Sequence, residues 1–244
     1  MPSSITAGDP APTGPIALVG SGEFLPQMVE IDQLLLTGRP ARAAFLPTAA
    51  GEEGPASFGR WLSLGTAHYR AMEVEAVPVP VANRNDANNP ELAALICGVG
   101  LVYLSGGNPG YLARTLKGTL VWQAIVDAWA AGAALAGCSA GAMAITAEAP
   151  GVRGSAMAPE PGLALVGHLA VIPHFDRMAQ WGPKFMQRAT APQRPGITVV
   201  GIDEDTALVG GPRQWTVMGR QHVTVFTANG PVVHACGEEV TLAP

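Results

Sequence analysis

The sequence predicts a three-layer α/β fold, in which a mostly parallel β-sheet has helices on both faces and antiparallel strands follow near the C-terminus. Short apolar runs alternate with stretches of helical spacing through the first part of the chain, and this order is typical of strand–helix–strand units. Of the 244 residues, 48% are hydrophobic and 14% are charged. This composition provides a large core and excludes a disordered chain.

Five apolar runs, each bounded by Gly, Pro or a charged residue, are predicted to be the strands of the parallel sheet. In chain order they are Ile16–Val19, Ala43–Leu46, Val74–Val79, Gly100–Leu104 and Ala133–Ala136. The stretches between them space apolar residues three or four apart, as in Trp122, Ile125 and Trp129. That spacing favours helices that pack one face on a sheet, and helical connections make successive strands parallel.

After Pro195 the pattern changes to closely spaced β-type runs, separated by turns such as Asn229-Gly230, a hairpin signal. The runs are Ile197–Val200, Thr206–Val209, Trp215–Met218, Val223–Phe226 and Val232–Ala235. They predict antiparallel strands added to the edge of the main sheet. The proline-containing stretch 1–13 is predicted to be a flexible tail, and residues 14–244 a single domain.

Composition also excludes several classes of partner. A net charge of −5 without any cluster of Lys or Arg predicts no nucleic-acid binding. Residues 128–147 are uncharged but rich in Ala and Gly, so no membrane span is expected, and the N-terminus lacks the features of a signal peptide. Three cysteines without a C-x-x-C pair indicate neither a disulfide framework nor a thiolate metal site, which favours a cytoplasmic protein.

The segment Gly137-Cys138-Ser139-Ala140-Gly141 follows a predicted strand and precedes an apolar helix. A G-x-S-x-G sequence in this context predicts a nucleophile elbow, with Ser139 as the nucleophile. The alternative is a small-residue run that allows a helix to pack closely on the sheet. Cys138 is a rival nucleophile, but it lacks glycine at both flanking second positions and is expected to be a small buried side chain.

A serine nucleophile needs a general base. No two of the five histidines have an i,i+4 spacing that suits a metal on a helix, and we predict no metal site. His174 follows the apolar run Val171-Ile172-Pro173, and sites of open α/β sheets form at the C-terminal ends of strands. His174 is therefore predicted to be the base, whereas His168 would lie at the opposite end of the same strand.

Three consecutive acids, Asp203, Glu204 and Asp205, lie within Gly201–Leu208, which reads as one strand. In a strand, Glu204 would share a face with apolar residues, where a carboxylate requires a partner such as an imidazole N–H. Glu204 is the predicted acid of the triad, with Asp203 or Asp176 as alternatives. The non-catalytic alternative is that the three acids form a solvated turn.

A glycine pair follows the fourth predicted strand in Leu104-Ser105-Gly106-Gly107-Asn108. Glycine lets a backbone N–H face a ligand without an intervening side chain. We predict an oxyanion hole made by the N–H of Ala140 and that of Gly106 or Gly107. An ordinary helix-capping turn is the alternative.

The nucleophile precedes the histidine by 35 residues and the histidine precedes the acid by 30. With the upstream Ser105-Gly106-Gly107-Asn108 motif, this order resembles the dipeptidase E and cyanophycinase family of serine peptidases, which has a class I glutamine amidotransferase-like fold. The resemblance implies Ser139 as nucleophile, His174 as base, Glu204 as acid, and cleavage next to aspartyl residues. At this position cyanophycinases have a sequence similar to Gly-Gly-Asp-Gln, whereas this chain has Gly106-Gly107-Asn108-Pro109. The asparagine makes the motif more similar to that of the dipeptidases.

The candidate substrate-binding residues are Asn108, Arg177 and Arg153. The two arginines are candidate partners of a substrate carboxylate, and an ordinary surface position is the alternative for each. The predicted function is hydrolysis of a small peptide through an acyl-enzyme on Ser139, without a cofactor. An esterase or amidase of small metabolites is one alternative, and a non-catalytic binding protein with the same fold is another. The assembly state stays open, and a homodimer is possible.

Overall fold

A computed structural model describes residues 13–149, 151–153, 156–158, 160–178 and 195–242 of the chain. The strands are β1 (Ile16–Val19), β2 (Arg42–Leu46), β3 (Glu75–Pro78), β4 (Leu101–Leu104), β5 (Ala134–Cys138), β6 (Gly151–Arg153), β7 (Ala156–Ala158), β8 (Leu169–Ile172), β9 (Thr198–Ile202), β10 (Thr206–Gly210), β11 (Gln214–Gly219), β12 (His222–Thr227), β13 (Gly230–Ala235) and β14 (Glu239–Thr241). The α-helices are α1 (Val29–Leu36), α2 (Pro55–Ala71), α3 (Arg84–Ala87), α4 (Pro90–Ala94), α5 (Pro109–Leu116), α6 (Leu120–Ala130), α7 (Ala140–Ile145) and α8 (Phe175–Met178).

The main sheet has eight strands in the order β14-β11-β10-β1-β5-β4-β2-β3. The five predicted N-terminal strands pair in parallel within it, whereas β10 pairs antiparallel with β1, and β11 and β14 extend that edge. The predicted mostly parallel sheet with antiparallel C-terminal strands is confirmed. The carboxyl ends of β1, β4 and β5 meet at one edge, where the candidate site forms.

Helices cover both faces of the main sheet, because alternate residues of its strands belong to two different cores. Ile16 and Leu18 pack in one cluster together with residues of α5, α6 and α7. Ala17 and Val19 pack in the other, together with residues of α1 and α2. Strands buried on both faces lack an alternating pattern, which is why they appear in the sequence as continuous apolar runs.

A second sheet contains four strands in the order β13-β12-β9-β8. The prediction that the C-terminal strands all extend the main sheet is therefore wrong for β9, β12 and β13. Strand β9 pairs in parallel with β8 and antiparallel with β12. Both edges of β9 are therefore paired within the second sheet. The local apolar pattern of a strand does not specify which sheet it joins. The hairpin signal is confirmed, since Thr227 is opposite Gly230 across the β12–β13 turn.

The run Gly201–Leu208 is not one strand. Strand β9 ends at Ile202, β10 begins at Thr206, and the three acids between them connect the second sheet to the main sheet. Asp205 has a φ of 53°, in the left-handed region that Asp tolerates in turns. The shared-face argument for Glu204 therefore fails, because Glu204 lies on a turn.

The uncharged window 128–147 is divided among the end of α6, strand β5 and helix α7. Within the described ranges, no helix combines the length and apolar character that a membrane crossing requires. Residues 1–12 of the predicted tail lie outside the described residues. The division into a tail and a single domain stays a prediction.

Candidate active site

Ser139 lies at the junction between strand β5 and helix α7. Its φ of 49° and ψ of −106° are strained for a residue with a side chain, and strain of this kind concentrates at functional sites. The Ser139 N–H donates to the carbonyl of Val19 at 2.9 Å, which fixes the turn to β1. The side chain therefore lies at the carboxyl edge of the sheet.

The glycines on either side of Ser139 are required by the closeness of the turn. A Cβ on Gly137 would lie 2.5 Å from the carbonyl carbon and oxygen of Gly141. A Cβ on Gly141 would lie 2.2 Å from the carbonyl oxygen of Leu104 on β4. Both contacts are to backbone, so neither glycine can gain a side chain without displacing a strand or the helix.

Ser139 Oγ and His174 Nε2 are 2.9 Å apart, a hydrogen-bond distance. His174 follows the end of β8 and immediately precedes the short helix α8. Its carbonyl accepts the N–H groups of Arg177 and Met178. Its φ is 49°. Both hydrogen-bonded side chains thus come from strained backbone positions beyond the ends of strands in two different sheets.

His174 Nδ1 and Glu204 Oε1 are 3.0 Å apart. The Glu204 N–H donates to Asp176 Oδ1 at 2.9 Å, and Arg177 Nε donates to Glu204 Oε2 at 3.2 Å. The hydrogen bond with His174, and then the one with Arg177, lowers the pKa of Glu204 against the opposing effect of burial. The carboxyl group of Glu204 is therefore ionised at neutral pH.

The two alternative acids occupy other positions around Glu204. Asp176 accepts the backbone N–H of Glu204, which helps to fix the turn. Asp203 accepts the backbone N–H of His222 at 3.2 Å. Burial raises the pKa of Asp203, in contrast to Glu204.

The glycine turn after β4 lies beside the nucleophile, because a Cβ on Gly106 would be 3.5 Å from Ser139 Cβ. The Gly106 N–H donates to Glu23 Oε1 at 2.7 Å. Gly106 therefore has no free N–H for a substrate oxygen, which corrects its predicted place in the oxyanion hole. Gly107 is exposed with a φ of 136°, and no acceptor for its N–H occurs among the described residues.

Ala140 is the first residue of α7, so its N–H belongs to the first helical turn, which has no acceptor within the helix. Asn108 caps α5 by accepting the Tyr111 N–H at 3.0 Å. The capping turn and the glycine pair are thus both present, and the capping bond occupies the side-chain oxygen of Asn108.

Sequence reasoning missed Glu23, whose other oxygen, Oε2, accepts the Cys138 thiol at 2.8 Å. It lies in the loop after β1, which begins Gly20-Ser21-Gly22 and lacks the third glycine of a dinucleotide-binding loop. An acidic residue just beyond the carboxyl end of a central strand was the available signal.

Residues 16–215 match the family model of Peptidase family S51. The chain belongs to this peptidase family. The S51 match covers most of the chain and confirms the resemblance to dipeptidase E sequences. Membership of this family supports a serine peptidase.

Two solved structures resemble this S51 peptidase. The crystal structure of a peptidase from an acI-B1 Actinobacterium has a TM-score of 0.85 at 35% identity, and the match covers 94% of this chain and 97% of that one. A protein from Listeria monocytogenes EGD-e assigned as a peptidase E has a TM-score of 0.60 at 15% identity, with 93% and 100% covered. The second likeness supports the fold alone. None of the curated proteins that were compared matches the chain.

The rival nucleophile of this S51 peptidase is unsuited to attack. Cys138 is fully buried, and its thiol donates to Glu23. Burial, and then the nearby charge of Glu23, raises the pKa of the Cys138 thiol well above its usual range. Since the thiolate is the reactive form, Cys138 is inert at neutral pH.

The predicted substrate-binding arginines differ in what can be said of them. Arg177 is 67% exposed and pairs with Glu204, so part of its guanidinium is already engaged. Arg153 ends strand β6, but its side chain lies outside the described residues. Among those that are described, no group of three or more His, Cys, Asp or Glu side chains is arranged to hold a metal ion.

Proposed function

We propose that this S51 peptidase hydrolyses a peptide or isopeptide bond next to an aspartyl residue, through an acyl-enzyme on Ser139. The observation that carries the proposal is the 2.9 Å distance between Ser139 Oγ and His174 Nε2. A hydroxyl group needs an adjacent base to attack a carbonyl carbon at neutral pH. The strained backbone of Ser139 holds the hydroxyl at that base.

In the proposed reaction, His174 Nε2 accepts the Ser139 Oγ proton while Oγ forms a bond to the substrate carbonyl carbon. Glu204 accepts a hydrogen bond from His174 Nδ1–H and stabilises the imidazolium without taking its proton. The imidazolium then gives its proton to the leaving amine as the C–N bond breaks. Water, deprotonated by the same imidazole, attacks the acyl-enzyme and releases the acid and Ser139.

The backbone N–H groups of Gly107 and Ala140 are the proposed donors to the oxyanion. In the described part of the chain neither N–H has a protein acceptor. Ala140 directly follows Ser139, and Gly107 follows Gly106, on which a Cβ would be 3.5 Å from Ser139 Cβ. Each such donor contributes about 3–4 kcal/mol in the transition state of acyl transfer. Every group that these steps use comes from the chain, the substrate and water.

The aspartyl preference rests on the resemblance to dipeptidase E and cyanophycinase sequences and on the charge of Arg177. Only Nε of this guanidinium is engaged by Glu204, and a guanidinium has five N–H donors. We propose that the remaining donors of Arg177, together with Arg153, bind the substrate carboxylate. Asn108 is proposed to donate an N–H of its side-chain amide to the substrate, since its oxygen caps α5 and Nδ2 donates to Glu52 at the long distance of 3.4 Å.

A fluorophosphonate probe tests the nucleophile. Wild type is expected to be labelled covalently, Ser139→Ala is expected not to be labelled, and His174→Ala is expected to be labelled much more slowly. Ser57→Ala, in helix α2, serves as a control that retains labelling. Labelling of folded Ser139→Ala, or no labelling of folded wild type, would contradict the proposal, and the second result would favour a binding protein.

A substrate panel tests the specificity. Asp-X and isoAsp-X dipeptides are expected to be hydrolysed, whereas Asn-X and Ala-X dipeptides and simple esters are not. Arg177→Ala is expected to raise KM for the aspartyl substrates. Turnover of esters with none of the aspartyl peptides would transfer the same chemistry to an esterase of small metabolites.

A further inference from the structure

We propose that Glu23 is a positioning residue that fixes the glycine turn after β4 so that the Gly107 N–H is held beside Ser139. The inference rests on the proposed function, since it assigns Glu23 a role in keeping that N–H in place for the oxyanion. Glu23 itself does not touch the reacting atoms in this assignment. It acts through the backbone of Gly106.

The carboxyl group of Glu23 joins three chain segments at the carboxyl edge of the main sheet. From the loop after β1, it accepts the N–H of Gly106, after β4, at 2.7 Å. Its other oxygen accepts the thiol of Cys138, the last residue of β5, at 2.8 Å. These are the segments that carry the proposed oxyanion donor and the nucleophile.

Glu23 also lies close to the nucleophile. A Cβ built on Gly106 would be 2.8 Å from Glu23 Oε1 and 3.5 Å from Ser139 Cβ. The carboxyl group and the Ser139 side chain therefore lie against the same side of Gly106. A side chain at Gly106 would displace this carboxyl group. The contact therefore favours glycine at position 106 in addition to the flexibility that glycine provides.

The hydrogen bonds of the turn show why this contact matters. The N–H of Ser105 donates to the carbonyl of Leu46, and that of Asn108 donates to the carbonyl of Ala49. Gly106 donates to Glu23. In the described part of the chain, Gly107 is thus the one residue of 105–108 whose N–H lacks a protein acceptor, and Glu23 is the one side-chain acceptor for a backbone N–H of the turn.

The peptides on both sides of the 106–107 peptide are therefore anchored, which restrains the peptide that bears the Gly107 N–H. Without Glu23 the Gly106 N–H would lose its acceptor, and two adjacent glycines would allow the turn to reorient. Oxyanion donors are effective only when they are held in place before the reaction. A misplacement of about 1 Å in such a group can cost about 100-fold in rate.

Glu23 is itself well anchored. The next residue, Phe24, is buried with a φ of 63°, and its ring centroid lies 5.4 Å from that of Tyr103 on β4. The Leu25 N–H donates to the carbonyl of Gly22 at 3.1 Å, which closes the turn around Glu23. A fixed acceptor can in turn hold the flexible glycine pair.

The test compares Glu23→Ala, Glu23→Gln and wild type by the rate of fluorophosphonate labelling and by kcat and KM on the aspartyl peptide that wild type hydrolyses. Glu23→Ala is expected to lower the labelling rate and kcat by about 10- to 100-fold with KM nearly unchanged. The labelled fraction at saturation is expected to stay complete, because the site is misplaced rather than unfolded. Glu23→Gln keeps an oxygen for the Gly106 N–H and is expected to recover much of the loss.

Glu53→Ala is the matched control, since Glu53 is an exposed acid just before α2 whose side chain accepts from Ser57. If Glu23→Ala does not fold, Glu23→Asp replaces it. That carboxylate is one methylene too short to reach both donors, so a lower labelling rate is again expected. An unchanged rate in the folded variant, or a Gln variant as slow as Ala, would overturn the inference.

One further result would overturn the positioning role and leave the proposed function intact. If Glu23→Ala raised KM only for peptides with a free α-amino group and left kcat and labelling unchanged, Glu23 would bind the substrate ammonium. Failure of the proposed function looks different, because wild type itself would then not be labelled at Ser139.

Discussion

Glu204 accepts hydrogen bonds on both carboxyl oxygens, from His174 and from Arg177, although His174 lies 30 residues earlier in the chain. The bond lowers the pKa of Glu204 and fixes which ring nitrogen of His174 faces Ser139. Orientation of the base is the role that an acid has in a Ser-His-acid triad.

Glu204→Gln is expected to lower kcat by about 10²- to 10⁴-fold with little change in KM, because an amide neither stabilises the imidazolium nor selects the right tautomer. Steady-state kinetics on an aspartyl peptide would measure this. Glu238→Gln is the control, since Glu238 forms a similar pair with His234 at 3.2 Å outside the site. Equal kcat in both variants would remove Glu204 from the mechanism.

The ionisation of Glu204 is expected to persist below the pH at which a free glutamate is half protonated. Its pKa is lowered from 4.5, mainly by the hydrogen bond with His174 and then by Arg177. Carboxyl ¹³C chemical shifts followed against pH would give this pKa directly. It is expected to rise more in His174→Ala than in Arg177→Ala, and the opposite order would contradict the assigned cause.

The sign of the linked stability effect follows from the lowered pKa. Ionised Glu204 favours the folded state at pH values above about 4.5, the ordinary pKa of the group. This contribution is lost as the pH falls through the lower pKa of the folded state. Wild type is therefore expected to lose more stability than Glu204→Gln over that acid range.

Gly141→Ala is expected to destabilise the protein by about 1–3 kcal/mol or prevent folding, because its Cβ would meet the Leu104 carbonyl oxygen at 2.2 Å. Gly59→Ala in α2 is the matched control, since a Cβ there has nothing within 4 Å. That change is expected to stabilise the helix by about 0.5–1 kcal/mol. Urea denaturation curves would measure both, and similar effects of the two changes would argue against the close approach of α7 to β4.

The buried hydrogen bond between His68 and Asp32 connects α1 and α2 away from the site, with Nε2 and Oδ2 2.7 Å apart. His68→Leu is expected to cost about 3–5 kcal/mol, because it leaves a buried carboxyl group without its partner. Burial already raises the pKa of Asp32, against the opposing hydrogen bond with His68.

Replacing both residues by Leu is expected to recover most of that loss, since an apolar pair of similar volume needs no hydrogen bonds. The exposed pair of Arg42 and Glu75 is the control, and Glu75→Ala is expected to cost about 1 kcal/mol or less. Chemical denaturation of the four proteins would measure these values. A double variant no more stable than His68→Leu would show that the unpartnered carboxyl group of Asp32 is not the cause of the loss.

The sequence was most informative where chemistry and geometry are local. The strand–turn–helix at Ser139 was predictable because both glycines lie within two residues of the serine, although only Gly137 meets a local neighbour, Gly141, and Gly141 itself meets Leu104 on β4. The parallel strands were predictable because burial on both faces makes them continuously apolar. His174 was predictable because it follows such a strand.

Other features depended on contacts that no local pattern encodes. Glu204 was predicted as the acid because it was expected to lie in a strand, but it lies in the turn between β9 and β10. This turn connects the two sheets, and its position brings Glu204 to His174. Glu23 was missed because its partners, Gly106 and Cys138, come from distant segments. The same bond removed Gly106 from the predicted oxyanion donors.

The sequence by itself determined the layered α/β architecture, the elbow at Ser139 and the kinds of groups available to the site. These follow from side-chain period, glycine sterics and composition, which act over a few residues. Only the tertiary structure decided which carboxyl group lies against His174, which backbone N–H of the glycine pair is bound by Glu23, and which sheet each C-terminal strand joins. Those outcomes depend on which strands pair, and pairing is set by the packing of the whole chain rather than by any one segment.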